Sequence, residues 1–312
     1  MAKPPRDEDA WLRAAYAQLR SSPRVRLGIG HDAAVVRHDG TDVVLKTDAV
    51  TDGIDFVLAQ CGPAAAARKA VAVTVSDLAA VGAVPRALLV SAILPRDIDW
   101  SMFEALAHGL IDAAEEFDCD LVGGDTTVAD APLTLSVFAT GDLLGGGPVG
   151  RSGARAGQLI SVTGPLGGSI LGRHLTFAPR LDASRALVGR RIPSAMMDLS
   201  DGLSRDLPRI CVASGVGADL DEAAIPIHAD VGQLTDGRPP LEHALHDGED
   251  FELLLAHDPL DAAVVKALAC EGVSLIPIGV VTRAPGVLRL LGPLGPRPLA
   301  PHGFDHLGPA SR

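Results

Sequence analysis

Aromatic side chains are scarce in this 312-residue chain: Phe, Trp and Tyr make up 3% of it, against 47% hydrophobic residues overall. A core of that composition is filled by Ala, Val and Leu, and the length suffices for two domains. Cysteine is equally sparse. Cys61, Cys119, Cys211 and Cys270 stand far apart with no C-x-x-C pair, which excludes a disulfide scaffold or thiolate zinc site and fits a reducing cytoplasm. Positive charge is short as well. Lys and Arg, mostly Arg, number 27 against 39 Asp and Glu, giving a formal net charge of −12. Neither nucleic acid nor an anionic membrane would find the basic face it needs. Long apolar runs are missing despite a mean hydropathy of +0.25. The longest candidate, Ala87 to Leu94, falls far below the ~20 residues of a membrane helix. Met1 to Ala10 is charged and holds no apolar signal core.

What the chain does have is aspartate beside Gly, Ser and Thr. Six such residues sit in Gly30-His31-Asp32, Lys46-Thr47-Asp48, Ser76-Asp77, Gly124-Asp125-Thr126 and Asp198-Leu199-Ser200-Asp201. Read as turns gathered by the fold, they form a cluster of hard oxygen ligands with almost no Cys or His. That donor set suits Mg²⁺ held with a polyphosphate. Ser76-Asp77 lies inside the apolar stretch Val71–Val84, where a carboxylate without a partner is costly to bury. The span from residue 32 to residue 201 implies one site assembled from both halves. These features point to an ATP·Mg-dependent phosphotransferase or a close chemical relative. No Ser/His/Asp or Cys/His arrangement is visible, so a covalent nucleophile is not expected.

The pattern predicts a first helix over Asp7–Arg20 and a hairpin from Ala33–His38 and Asp42–Thr47 around Asp39-Gly40-Thr41. An Ala-rich helix from Pro63 to about Gly82 follows, then a buried strand at Ala87–Leu94. A helix over Trp100–Phe117 and a strand over Leu133–Gly141 close the first half. Gly145-Gly146-Gly147-Pro148 is the clearest break, which divides the chain into domains 1–147 and 148–312. The second half offers a strand at Gln158–Thr163, the Gly-rich turn Gly164–Ser169, and a helix at Leu203–Ala213 with Pro208 near its start or kinking it. A strand at Phe251–Leu255, a helix over Pro259–Cys270 and a strand over Ser274–Val281 follow. The Gly- and Pro-rich tail from Pro285 reads as irregular structure. Gly28-Ile29-Gly30-His31-Asp32-Ala33 matches a dinucleotide fingerprint, but a hairpin follows where that fold needs a helix. The Gly164–Ser169 turn reads first as a tight connection, with phosphate contact through its amides as the alternative. Asp201-Gly202 reads equally as a helix N-cap, and Asp247-Gly248-Glu249-Asp250 as an acidic turn.

Taken in order, these segments resemble the thiamine-monophosphate kinase family, in the superfamily of aminoimidazole-ribonucleotide synthetase. The matching stretches are Gly28–Val35, Thr47-Asp48, Val75–Ala83, Gly123–Thr126, Arg151–Ala154, Thr163–Gly167, Met197–Leu203, Gly248–Leu253 and Gly303–His306. The resemblance implies transfer of the γ-phosphoryl of ATP to thiamine monophosphate. It implies an α/β fold with α+β character, in which an N-terminal mixed sheet pairs across a homodimer and a C-terminal α/β domain completes the site. Metal positions then fall on Asp32, Thr47, Asp48, Asp77, Asp125, Asp198 and Asp201, of which Asp198 and Asp201 would be catalytic. ATP contacts fall on Gly124, Arg151 and Ser200, and substrate positions on Asp55, Glu249 and Phe304. The ring of Phe304 would stack on thiamine.

Three residues depart from the family pattern. His31 replaces a first Asp, Lys46 a small hydroxyl residue, and Asp55 a His near the substrate phosphate. Lys46 either replaces a metal ion or contacts phosphate; Asp55 is either bridged by metal or turned away. Alternatives within the superfamily are another ATP-dependent synthetase and a degenerate nucleotide-binding homologue. A selenophosphate synthetase would need an early Cys, and a hydrogenase-maturation carbamoyl dehydratase a C-terminal one; here the chain ends Ala310-Ser311-Arg312.

Overall fold

The structure, a computed structural model, describes Tyr16 and residues 22–304. The helix expected over Asp7–Arg20 lies outside the described residues, Tyr16 aside. Strands β1 (Val25–Leu27), β2 (Ala34–His38), β3 (Thr41–Thr51), β4 (Ala83–Pro95), β5 (Asp120–Ala129) and β6 (Thr134–Leu143) form one sheet, ordered β1-β2-β3-β6-β4-β5. Its pairs are antiparallel except β4–β5. The β2–β3 hairpin turns at Asp39-Gly40, both at positive φ, the backbone that matches the strands' twist.

Helix α1 (Leu58–Ala80) covers one face of this sheet. It is kinked at Gly62, at φ 76, after a first turn over 58–61; Pro63 opens the longer run that follows, the position where its missing N–H costs nothing. Ala66, Ala70, Val71, Val75 and Leu78 are all buried, because the sheet lies on one side and α2 (Trp100–Glu116) on another. Asp99 caps α2 by accepting from the Met102 amide at 2.8 Å. The run Ala87–Leu94 reads as a buried strand; in β4 burial alternates instead. Leu88, Val90, Ala92 and Leu94 face α1, while Leu89 and Ile93 face outward, because a helix covers only one side of this sheet.

The second sheet contains β7 (Leu159–Val162), β8 (Pro193–Asp198), β9 (Gly217–Asp221), β10 (Leu253–His257), β11 (Ile276–Thr282), β12 (Leu288–Gly292) and β13 (Gly295–Pro298). Their order is β13-β12-β9-β11-β7-β10-β8. After the single turn of α3 (Arg173–Thr176) come α4 (Leu181–Gly189), α5 (Leu203–Ser214), α6 (Pro240–His246) and α7 (Ala262–Cys270). Met197 and Leu254 pack with α5 and α6, whereas Met196, Leu253 and Leu255 pack with α4 and α7. Adjacent residues thus serve opposite layers, the period of two that strands impose. The mixed α/β class with a helix-backed N-terminal sheet holds.

The tail from Pro285 is not irregular. Residues 288–298 form the β12–β13 hairpin, and β12 zips parallel to β9, a non-local pairing that Gly and Pro content does not encode. Pro296 and Pro298 sit on the edge strand, where no ladder donor is missed. The strand expected at Phe251 begins at Leu253, and Pro208 lies in the second turn of α5. Strands β1, β5, β8 and β9 and helices α4 and α6 were not anticipated. Among the described residues no helix is long and apolar enough to cross a membrane.

Candidate active site

A cleft of about 460 Å³ runs between α1 and the turns of the second sheet. Lys69, Val73 and Asp77 line one wall of it. They stand four residues apart on one face of α1, so Lys69 and Asp77 are about 12 Å apart along its axis. Each anchors a separate polar group.

The Asp77 end is dense in carboxylates. Strand alternation turns Lys46 and Asp48 toward α1, and Lys46 Nζ lies 2.5 Å from Asp77 and 3.0 Å from Asp48. Asp198, the last residue of β8, is buried and accepts from Ser76 Oγ at 2.5 Å. Asp32, Asp77 and Asp198 each place an oxygen within 4.8 Å of the others. Burial pushes the Asp198 carboxyl up to about 7, and the charge of Asp32 adds to this. Burial also raises Asp77, against the pull of Lys46. Burial works against the Lys46 ammonium too, but Asp77 and Asp48 outweigh it and hold the proton. Asp48 Oδ2 is buried with no hydrogen-bond partner. An orphaned buried oxygen beside three converging carboxylates fits a hard divalent cation.

Arg151 pairs with Asp32 at 2.7 Å. Its backbone amide donates to His31 Nδ1 at 3.0 Å; burial depresses the His31 pKa, which keeps that nitrogen an acceptor. Ser200 and Asp201 line the same cleft, but Asp201 stands outside the three-carboxylate group and pairs with Arg209 at 2.7 Å. It is not an N-cap: Gly202 occupies that position without a side-chain bond, and the Asp201 amide donates to Asp206. Of the six aspartates, only Asp32 and Asp201 lie in bends. Asp48 and Asp125 are within strands and Asp77 within a helix.

The other end centres on Lys69, which sequence reasoning missed. Its side chain is 0% exposed, and Nζ contacts Glu249 at 2.5 Å, His174 Nδ1 at 2.9 Å and the Asp55 carbonyl. A lysine inside an Ala-rich helical stretch was the available signal. Burial opposes the Glu249 charge, yet His174 and Lys69 hold its carboxyl below the usual range. Glu249 and Phe251 take φ of 53° and 51°, left-handed positions that cost of order 1–3 kcal/mol each and recur at functional turns. Gly248, at φ 74, passes so near Ser200 that a Cβ would meet its carbonyl at 2.7 Å. The turn is zipped onto the β8–α5 connection by Glu249 N to Ser200 O (2.7 Å) and Phe251 N to Leu199 O (2.8 Å). The acidic turn therefore joins the two ends of the cleft. The Asp55 carboxylate accepts from its own turn, at Thr51 N, 2.7 Å. Phe304 stands at the cleft with its amide 3.3 Å from Asp201 O. The amides of Gly167 and Gly168 are taken by Asp250 and Asp247, so the Gly-rich turn is a tight connection.

Thr47, Gly124 and Asp125 do not line this cleft. The ladders pair Thr47 with Phe138, Phe138 with Leu89, and Leu89 with Gly123; two residues on, Ser91 pairs with Asp125. Residues so paired share a face, and it is the outward face, away from α1. Gly124 has a packing reason to be glycine, since a Cβ there would fall 1.8 Å from Val90 O.

The AIR synthase related protein N-terminal domain model matches residues 30–143, and the corresponding C-terminal domain model residues 136–289. Thiamine-monophosphate kinase of Rhodopirellula baltica is 35% identical over 309 residues, covering 96% of this chain and 97% of that protein. The chain belongs to the thiamine-monophosphate kinase family. Another relative in this family, from Escherichia coli K12, is 34% identical and covers 93% of this chain and 95% of its own. The solved structure of AaThiL complexed with AMPPCP and TMP superposes with a TM-score of 0.82 at 28% identity, covering 96% of this chain and 97% of that one.

Proposed function

We propose that this chain transfers the γ-phosphoryl group of ATP to thiamine monophosphate, yielding thiamine diphosphate and ADP. One observation carries the reading. A carboxylate cluster suited to a metal–polyphosphate shares a wall of one cleft with a second end built from Glu249 and Lys69, and Phe304 lines the same cleft. The kinase names of the relatives and the bound AMPPCP and TMP of the similar structure support it.

Mg²⁺ held by Asp32, Asp48, Asp77 and Asp198 would neutralise polyphosphate charge and fix its geometry. Arg151 would bind phosphate through its planar fork, with Ser200 as a hydroxyl partner. Asp198 and Asp201 would act at the reacting phosphates. Glu249, kept ionised by Lys69 and His174, would face the cationic thiazolium or the aminopyrimidine of the acceptor. Phe304 would stack on the ring system. Asp55 lines the same cleft and accepts from the Thr51 amide, which would turn its carboxylate away from the acceptor phosphate. Transfer is direct: an oxygen of the acceptor phosphate bonds to the γ-phosphorus as its bond to the β–γ bridging oxygen breaks and ADP leaves.

Thr47 and Asp125 would act through a homodimer formed on the outward sheet face, with Gly124 next to Asp125 on β5; that face exposes Leu89 and Ile93 at 41% and 37%. The domains 1–147 and 148–312 would meet at the Gly145–Pro148 turn, and the enzyme would work in the cytoplasm. The test is a purified-protein assay with ATP and thiamine monophosphate, reading thiamine diphosphate chromatographically. Equimolar thiamine diphosphate and ADP, abolished by chelator, is expected. No turnover of thiamine monophosphate alongside turnover of another phosphorylated or carbonyl acceptor would replace the kinase with a synthetase.

A further inference from the structure

We propose that the Lys46 ammonium is a built-in cation of this site and takes the place of one divalent ion between Asp48 and Asp77. The inference rests on reading the carboxylate cluster as a metal–nucleotide site.

The geometry begins in β3. Residues two apart on a strand project from the same face, so Lys46 and Asp48 both point toward α1, where Asp77 opposes them. Lys46 Nζ contacts Asp77 Oδ2 at 2.5 Å and Asp48 Oδ1 at 3.0 Å. These are the two oxygens that an ion bridging β3 and α1 would take. An ammonium is a compact point charge with three donors. Two are used on these carboxylates, and the third remains for a ligand in the cleft that Lys46 lines.

Charge balance agrees. Once metal has displaced the protons, Asp32, Asp48, Asp77 and Asp198 supply four negative charges; Arg151 and Lys46 supply two positive ones. The remaining two match one divalent ion at the group formed by Asp32, Asp77 and Asp198. A further dication on the Lys46 side would share its oxygens and repel it at contact range. Asp48 Oδ2, buried and without a partner, stays available, so Lys46 removes one ion and leaves the other ligands intact.

The test counts Mn²⁺ bound per chain by electron paramagnetic resonance at saturating AMPPCP, after subtracting Mn²⁺ bound by AMPPCP alone. Wild type is compared with Lys46→Ser and Lys46→Arg. Lys46→Ser is expected to bind one more ion per chain than wild type, and Lys46→Arg, which keeps the charge, the wild-type number. Thermal unfolding in chelator and in excess Mn²⁺ gives a second readout. Lys46→Ser should lose stability in chelator and regain more of it with Mn²⁺ than wild type does. Equal counts and equal Mn²⁺ responses in wild type and Lys46→Ser would overturn the inference while leaving the metal site in place. No bound Mn²⁺ in any variant would overturn the metal-site reading and this inference with it.

Discussion

At the scale of single residues, Asp198 makes the site sensitive to pH. Its carboxyl is pushed up to about 7, first by burial and then by Asp32, whereas in an unfolded chain it ionises near 4. The folded state thus holds a proton that the unfolded state releases, and stability falls as pH rises between those values. The metal-free protein should lose stability from about pH 4 to about pH 7, with no further loss from this group above that. A divalent ion competes with the same proton, so its affinity should rise by up to about tenfold per pH unit until about pH 7 and then level off. Mn²⁺ titrations across that range, on wild type and Asp198→Asn, check the sign. The variant should show a flatter profile and weaker binding, and an unchanged slope would assign the pH response to another group. Lys69 teaches a different lesson at this scale. A buried lysine is tolerated because the Glu249 carboxylate and the Asp55 carbonyl accept from it, with His174 Nδ1 in contact, and these partners come from segments over a hundred residues away as well as nearby.

At the scale of elements, the β4–β5 pair depends on a close approach. A methyl group at Gly124 would sit 1.8 Å from Val90 O, and that neighbour is backbone inside a ladder, unable to step aside. Gly124→Ala should therefore destabilise by about 3 kcal/mol, the upper end for overpacking, and loosen β5. A methyl group at Gly145 would meet nothing within 4 Å, and the residue has no positive φ, so Gly145→Ala should be near neutral. Denaturant midpoints for the two variants make the comparison; equal losses would show that the ladder yields. The acidic turn is the second element of consequence. Glu249 and Phe251 at left-handed φ persist because hydrogen bonds to Leu199 and Ser200 hold them. Those bonds couple the Lys69–Glu249 end of the cleft to the end of β8 that carries Asp198.

At the scale of the whole molecule, the first sheet is dressed on one side only. Helix α1 covers the inner face, while Leu89 and Ile93 remain exposed with Thr47 and Asp125 around them. A second copy on that face would bury the apolar residues and bring into use site residues that one chain leaves outside its own cleft. Leu89→Asp is expected to give a folded monomer by light scattering, with thermal unfolding close to wild type and phosphoryl transfer reduced at least about tenfold. A wild-type protein that is already monomeric at micromolar concentration, or a monomeric variant with full activity, would count against the dimer.

Much of this was legible in the sequence. The Asp39-Gly40 hairpin, the helix opened by Pro63 and the oxygen-rich ligand set follow from local rules: left-handed φ, proline's missing donor, the hardness of carboxylates. Short-range chemistry suffices for these because each depends on a few neighbouring residues. The tertiary structure alone decided which carboxylates meet. It joined Asp32, Asp77 and Asp198 from a bend, a helix and a strand end, placed Lys46 between Asp48 and Asp77, and turned Thr47 and Asp125 to the opposite face. It also drew residues 288–292 into a strand by pairing them with β9. Strand register and the packing of α1 set those outcomes, and both are fixed by contacts between segments far apart in the chain, which no local pattern records.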